Sequence, residues 1–125
     1  TQFFSRWDYD WFRMSSRVLD FYFFSRVCST SGDKTVFSYL IDPVFEHRFA
    51  IFLKAYHAVY PLSHDEVVFL KEAYRFFILN YVIKYGHYFF HEIYADKLQR
   101  EAFEIYFPLL DEKFKSEKIL RVLDL

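Results

Sequence analysis

The chain is 125 residues long, about the length of one domain, and its 16 basic and 17 acidic residues leave a net charge of −1. Aromatic residues make up 25% of the sequence, against 2 glycines and 3 prolines, so we expect a large core and a mainly α fold. Acidic and basic residues are mixed along the chain, which excludes the basic stripe that nucleic acid requires.

The N-terminal part of the chain predicts a short strand followed by a helix. Residues 1–12 contain β-favouring aromatic residues and then an acidic turn, Asp8-Tyr9-Asp10. Residues 15–29 show helical spacing of apolar residues, with a serine available as the N-cap. Asp20 lies inside this apolar helix.

Two longer helices are predicted next. Residues 43–60 follow Asp42-Pro43, an N-cap aspartate with proline at the first helical position. Residues 63–94 open with Ser63-His64-Asp65-Glu66, the pattern of a capping box. This segment is apolar around most of its circumference, so we expect neighbouring elements to surround it. Gly86 predicts a bend or a break near its end.

The last two predicted helices are shorter. Residues 96–107 are amphipathic and have Asp96 as a cap, and we expect Pro108 to end or kink this helix. Residues 116–123 predict one final short helix. The sequence contains no internal repeat, so these elements together predict a single domain over residues 1–125.

The cysteine content and the apolar runs indicate the compartment. Cys28 is the only cysteine, which excludes an internal disulfide and is typical of a reducing compartment. The apolar run between Arg75 and Lys84 is only eight residues long, well below the ~18 to 20 residues that cross a bilayer. We therefore expect a cytoplasmic protein without a membrane partner.

Three aspartates near the N-terminus are the main candidates for chemistry. Asp8 and Asp10 stand at the end of the predicted strand, where carboxylates can act as the hard oxygen ligands that Mg²⁺ accepts beside substrate phosphates. Asp20 follows within the next helix. The same spacing also fits a polar turn with one helix-capping acid, and the residues alone leave both interpretations open.

Two histidines and the cysteine are weaker candidates. His87 and His91 are spaced i, i+4 on the predicted long helix, but a metal site needs further ligands. Solvated or hydrogen-bonded histidines are therefore the favoured interpretation. Cys28 lies among apolar residues without a neighbouring histidine or lysine to activate it, so we expect an unreactive core thiol.

Two passages of the chain carry a family resemblance. The first is Arg6-Trp7-Asp8-Tyr9-Asp10 followed by Arg17-Val18-Leu19-Asp20-Phe21. The second is Phe52-Leu53-Lys54-Ala55-Tyr56-His57-Ala58-Val59-Tyr60-Pro61-Leu62-Ser63-His64-Asp65-Glu66, with Tyr74-Arg75-Phe76-Phe77 further on. The first resembles the segment hydrophobic-Asp-aromatic-Asp … Arg/Ala-x-x-Asp-Leu of the superfamily of aminoglycoside phosphotransferases, choline kinases and homoserine kinases. The second is similar to the passage Tyr-x-x-x-x-Pro-Leu-[Ser/Thr]-x-x-Glu of its homoserine-kinase-like and spore-coat-kinase-like members.

The resemblance implies a role for each candidate aspartate. Asp8 takes the place of the aspartate that holds the Mg²⁺ bridging the nucleotide phosphates, with Asp10 as a helper, so the implied cofactors are Mg²⁺ and ATP. Asp20 takes the place of a buried aspartate that supports the catalytic loop by accepting backbone hydrogen bonds. The region from Tyr56 to Leu70 would belong to the helical part that lines the acceptor pocket.

The implied fold is the helical C-terminal subdomain of a protein-kinase-like phosphotransferase, with a short N-terminal strand segment. The implied reaction moves the γ-phosphoryl group of ATP to a hydroxyl of a small molecule. The family's catalytic loop and nucleotide-binding lobe precede the metal aspartate, and residues 1–125 match neither of them. We therefore expect no catalytic residue in this chain, and no activity without the missing N-terminal lobe.

The alternative function belongs to another class of protein. A non-catalytic helical interaction module, including a pseudokinase remnant, would use the aromatic content to bind a partner, because exposed apolar patches drive association. The same surface would support self-association. Arg6 stands where the family often has an apolar residue, and the turn Asp8-Tyr9-Asp10 lacks glycine; both departures are compatible with a pseudokinase parent.

Overall fold

The computed structural model of the chain describes residues 15–31 and 39–125. About 80% of these described residues are helical and none of them forms a strand, which confirms the predicted mainly α fold. The strand and metal-binding turn predicted for residues 1–12 lie outside the described residues and stay predictions.

The described residues form α-helices joined or extended by 3-10 and π-helical segments. A 3-10 helix, Arg17–Asp20, leads into α1 (Phe21–Cys28), and a second one, Asp42–Phe45, precedes α2 (His47–Val59). Helix α3 (His64–Phe77) continues as a π-helix, Ile78–Lys84, and is followed by α4 (Gly86–Phe89). Helix α5 (Glu92–Glu101) continues through a second π-helix, Ala102–Tyr106, into α6 (Phe107–Lys113), and α7 is the last element (Ser116–Val122).

Helix α3 begins at the predicted capping box. The Ser63 hydroxyl accepts a hydrogen bond from the Glu66 backbone N–H (3.1 Å), and the Glu66 carboxylate accepts one from the Ser63 N–H (2.9 Å). These two bonds satisfy N–H groups that have no partner within the helix. The capping-box prediction is confirmed.

The prediction of one long helix over residues 63–94 is wrong, because the helix is interrupted twice. Tyr85 leaves helical geometry, with φ −115° and ψ 13°, immediately before Gly86, which agrees with the break expected there. Phe90 is extended, with φ −119° and ψ 148°, and separates α4 from α5. Helix α4 is therefore a separate element between two longer helical segments.

Helix α5 begins earlier than the predicted helix 96–107. Its first residue is Glu92, and His91 occupies the N-cap position. Ala95 is completely buried, so the inward face of the helix starts before Asp96. Asp96 consequently lies within the helix, and the prediction that it caps the helix is wrong.

Pro108 does not end the helix that contains it. Helical structure continues from α5 through Ala102–Tyr106 and α6 as far as Lys113. A proline lacks the N–H of a helical hydrogen bond and crowds the carbonyl of the preceding turn. The wider π-helical turn immediately before Pro108 changes the hydrogen-bond register at this point, so the helix is disturbed but not terminated.

The helix predicted over residues 43–60 begins later than expected. Asp42-Pro43 opens a 3-10 helix, and Glu46 is extended immediately before α2. The Glu46 carboxylate accepts hydrogen bonds from the Ser29 hydroxyl and the Thr30 N–H, each at 2.8 Å, and the Thr30 N–H is the main cause of its lowered pKa. Glu46 therefore links the end of α1 to the start of α2.

Helix α3 forms the centre of the core and contacts α1, α6 and α7. Its inward face buries Leu70 and Tyr74. The buried Tyr74 hydroxyl forms a 2.6 Å hydrogen bond with the Ser25 hydroxyl, which donates to the Tyr22 carbonyl, also at 2.6 Å. A polar link therefore joins α1 and α3 inside an otherwise aromatic core.

The outer face of α3 is open to solvent. Val68, Phe69 and Phe76 each remain nearly half exposed, so the expected enclosure of this helix by its neighbours is only partial. Within residues 15–31 and 39–125, no helix has both the length and the apolar character that a membrane span requires.

Candidate functional site

The two passages that carry the family resemblance meet at one ion pair. Arg17 Nε donates to Glu66 Oε1 and Arg17 Nη2 donates to Glu66 Oε2, each at 2.8 Å. Arg17 Nη2 also donates to the Pro61 carbonyl oxygen at 2.7 Å. A single side chain of the first passage therefore binds two residues of the second. We call Arg17, Pro61, Ser63 and Glu66 the Arg17 junction.

The charges of the junction stabilise each other although both side chains are partly exposed. The exposed fractions are 35% for the Arg17 side chain and 30% for that of Glu66, so water screens part of their attraction. The bidentate hydrogen bonds from Arg17, together with the Ser63 N–H, hold the pKa of Glu66 at about 2. Glu66 in turn raises the pKa of Arg17. Glu66 thus completes the helix cap and fixes Arg17 at the same time.

An aromatic wall and a closed turn lie beside the junction. The guanidinium carbon of Arg17 is 5.8 Å from the centroid of the Tyr56 ring, within cation–π range, and Tyr56 packs edge-on against Phe21 at 5.1 Å. His57 Nδ1 accepts a hydrogen bond from the Leu62 N–H at 2.9 Å, which closes the connection between α2 and α3. The start of the expected acceptor-lining region is therefore held in place by side chains from two elements.

The structure describes one of the three candidate aspartates. Asp20 is the last residue of the 3-10 helix, its side chain forms no helix-capping hydrogen bond, and it is exposed. The 3-10 turn points Val18, not Asp20, into the core. The resemblance implies burial of Asp20 against a catalytic loop that residues 1–125 do not match, so this burial stays a prediction. The support of a catalytic loop by Asp20 stays a prediction. Asp8 and Asp10 lie outside the described residues, so their Mg²⁺ and ATP roles also stay predictions.

The described residues hold no cluster of three or more His, Cys, Asp or Glu side chains that could bind a metal ion. His87 lies in α4 whereas His91 caps α5, so the extended residue between these helices removes the predicted i, i+4 arrangement. His87 Nε2 lies 3.4 Å from Asp96 Oδ1 and the His87 side chain is 54% exposed, which agrees with a solvated histidine. Cys28 is partly buried against the core.

A small recess lies elsewhere in the fold, between the 3-10 helix Asp42–Phe45, α2 and α7. Its volume is about 130 Å³ and its lining is mainly apolar, with Glu46 and Lys118 as the charged lining residues. Lys118 Nζ is 5.3 Å from the centroid of the Phe45 ring, and Glu46 is already bound to the end of α1. The recess is below the ~300 Å³ that ligand pockets usually reach.

Comparison of the chain with protein-family models, curated proteins and solved structures gives no match. The described residues form a mainly α domain. In the Arg17 junction, the Arg17 side chain binds Glu66 at the start of the central helix α3. The motif residues themselves therefore remain the basis for a functional assignment.

The contact between Arg17 and Glu66 is not predictable from local sequence. The two residues are 49 positions apart, and no helical or strand spacing relates residues at that distance. Glu66 is already explained by the capping box, so its second role gives no separate signal. The sequence indicates this contact only indirectly: Arg17 belongs to the first passage that resembles the family, and Glu66 belongs to the second.

Proposed function

We propose that residues 1–125 form the helical C-terminal part of an ATP-dependent phosphotransferase that phosphorylates a hydroxyl group of a small molecule. The support is the Arg17 junction, because the two passages that resemble the family are in direct contact through Arg17 and Glu66. In such an enzyme Asp8, with Asp10 as a helper, holds Mg²⁺ on the nucleotide phosphates. Activity depends on the N-terminal lobe, which supplies the catalytic loop.

The Arg17 junction serves the proposed function by holding two parts of the chain in fixed positions. Phosphoryl transfer depends on holding metal, nucleotide and acceptor in line. The bidentate contact of Arg17 fixes the 3-10 helix Arg17–Asp20 against the start of α3, which lies within the region expected to line the acceptor pocket. A lysine at this position has a single charged nitrogen and cannot form the same two parallel hydrogen bonds.

Magnesium-dependent ATP binding by the full-length parent protein tests the proposal. We expect Asp8→Asn to weaken the binding of Mg²⁺-ATP by about tenfold or more, because a metal-ligating carboxylate becomes a neutral amide. Asp65→Asn is the matched control, because the Asp65 side chain is fully exposed at 100%. Isothermal titration calorimetry measures the affinity, and phosphate transfer to a panel of hydroxyl-bearing amino acids, amines and sugars measures the activity.

Two possible results distinguish a failure of the proposed function from a failure of the metal-binding role given to Asp8. A parent protein that neither binds Mg²⁺-ATP nor phosphorylates any member of the panel contradicts the phosphotransferase proposal. Unchanged Mg²⁺-ATP affinity in Asp8→Asn removes Asp8 from the metal role while the activity of the parent still supports the function.

A non-catalytic helical interaction module is the second candidate function. The exposed apolar side chains of residues 86–106, from α4 through α5 to the second π-helix, favour it, and we call this stretch the α4–α5 region. Tyr88, Ile93 and Phe103 have exposed fractions of 84%, 72% and 63%. Binding of a partner or of a second copy would remove these side chains from water. Concentration-dependent association of a protein that has no phosphotransferase activity would favour this candidate.

A further inference from the structure

One guanidinium group lies against the aromatic core without a carboxylate partner among the described residues. The guanidinium carbon of Arg26, in the last turn of α1, is 4.8 Å from the centroid of the Tyr22 ring, and its Nη2 donates to the Leu40 carbonyl oxygen at 2.8 Å. Its Nε and Nη1 are buried, and neither has a hydrogen-bond acceptor within the described part of the chain. Among the residues that the structure describes, the N–H groups of these two nitrogens are therefore unpaired.

The other partly buried arginines of this fold show what Arg26 lacks. Arg17 pairs with Glu66, and Arg75 pairs with Glu72 at 2.9 Å and with Asp111 at 2.6 Å. A buried charged donor without an acceptor is costly, because it has lost its hydrogen bonds to water without replacement. An anion beside Arg26 would remove this cost.

The side chains around Arg26 supply further hydrogen-bond donors. Tyr22 stacks on Tyr39, with ring centroids 5.7 Å apart. Burial raises the pKa of Tyr22 to about 12 and also raises the pKa of Tyr39. Both hydroxyls therefore stay protonated at neutral pH, and each can donate a hydrogen bond. The surroundings of Arg26 combine one positive charge with neutral donors.

We propose that Arg26, together with the hydroxyl groups of Tyr22 and Tyr39, binds a small oxyanion of the phosphate class. Because Nε and Nη1 are buried, the proposed ligand is a small ion rather than the surface of a macromolecule, and its binding requires a local movement of the side chains that cover them. A tetrahedral anion has acceptor oxygens in several directions, so one ion can accept hydrogen bonds from a guanidinium group and from hydroxyl groups. The anion is free phosphate or the phosphate group of a small molecule. This inference does not rest on the proposed function.

A phosphate titration at constant ionic strength tests the proposal. Sodium phosphate replaces sodium chloride while the thermal unfolding midpoint of the full chain and the NMR resonance of the Arg26 Nε–H group are followed. We expect a saturable rise of the midpoint and a shift of the resonance, and an apparent affinity about tenfold or more weaker in Arg26→Gln. Arg100→Gln, which changes an exposed arginine of α5, should respond like the wild type. Glycerol phosphate in place of phosphate distinguishes a phosphomonoester from the free ion.

Three results would overturn the proposal. The first is an equal rise of the midpoint in Arg26→Gln and in the wild type. The second is an Arg26 Nε–H resonance that does not move with phosphate, and this measurement decides alone if Arg26→Gln fails to fold. The third is an equal response to acetate at the same ionic strength, which would contradict the assignment to the phosphate class.

Discussion

Glu66 connects helix capping with the Arg17 ion pair, and this connection gives a pH-dependent stability. The pKa of Glu66 is about 2 in the folded chain against an ordinary value of 4.5. Its stabilisation is therefore fully present above about pH 4.5 and is lost as the pH falls towards about 2. We expect Glu66→Gln to be less stable than the wild type at about pH 7, with a difference that narrows below about pH 4.5. Urea denaturation across this pH range measures it.

The matched control for this prediction is Glu104→Gln. Glu104 is exposed on the π-helix that follows α5, so its replacement should leave the pH profile of the wild type unchanged. The Glu66→Gln variant takes up fewer protons on unfolding in acid, so its stability should depend less steeply on pH. Parallel profiles for wild type and Glu66→Gln would contradict the assigned role of Glu66.

The hydrogen bond between Tyr74 and Ser25 gives a second prediction for a single residue. Because the Ser25 hydroxyl donates to the Tyr22 carbonyl, the Tyr74 hydroxyl donates to Ser25. Tyr74→Phe removes this donor from a fully buried position and should cost about 1 to 2 kcal/mol in the free energy of unfolding. Tyr88→Phe changes an exposed tyrosine and should stay within about 0.5 kcal/mol of the wild type. Equal stabilities of the two variants in chemical denaturation would refute the prediction.

Contacts between residues that are close together in the sequence can be predicted from it, whereas contacts between residues far apart in the sequence cannot. Ser63 and Glu66 lie within one helical turn, so their capping box is visible as a short pattern. No such pattern marks the bond between Arg17 and Glu66, or the two Arg26 nitrogens, Nε and Nη1, that lack an acceptor among the described residues. The first depends on how the 3-10 helix Arg17–Asp20 is placed on α3 and the second on how α1 is placed on its neighbours, and both placements are properties of packing rather than of spacing.

At the scale of elements, Gln99 of α5 supports the end of the first π-helix. Its Nε2 lies 3.3 Å from the carbonyl oxygens of both Val82 and Ile83, which belong to the last turn of Ile78–Lys84. Gln99→Ala leaves these acceptors without the side-chain donor and should cost about 0.5 to 1.5 kcal/mol. Amide hydrogen exchange in α4 should become faster, because α4 follows this turn directly.

Lys97→Ala is the matched control for Gln99→Ala, since Lys97 is an exposed residue of the same helix and its Nζ lies 3.8 Å from Glu101 Oε1. It should change neither the stability nor the exchange rates of α4 by a measurable amount. If Gln99→Ala and Lys97→Ala have the same exchange rates in α4, Gln99 does not support the π-helix.

The capped start of α3 is easier to predict than the continuation of a helix, whereas α2 and α5 begin away from their predicted first residues. A π-helical turn differs from an α-helical turn by one residue in its hydrogen-bond register, and no residue type marks it in the sequence. Pro108 signals a disturbance of the backbone, but the sequence does not show that a wider turn carries the helix past it. The break at Gly86 is predictable because glycine is unfavourable within a helix.

At the scale of the whole molecule, the helical class follows from composition, whereas the arrangement of the candidate site does not. Many aromatic residues and few glycines and prolines favour helices over tight turns, and the described residues confirm this. The resemblance names Asp8, Asp10 and Asp20 from motif order. The exposure of Asp20 depends on a 3-10 turn that directs Val18 into the core, and the motif contains no information about that turn.

The exposed apolar side chains of the α4–α5 region lead to a prediction for the assembled molecule. Ile93 and Phe103 are mostly exposed, and removal of such groups from water favours association. If a second copy covers them, sedimentation velocity should show concentration-dependent association that is about tenfold weaker in Ile93→Ser/Phe103→Ser. Val27→Ser is the matched control, because Val27 is 83% exposed on α1 and lies on another element. A wild type that stays monomeric at every concentration excludes self-association through this surface. Equal weakening of the association by Val27→Ser would show that general hydrophobicity, rather than the α4–α5 region, drives self-association.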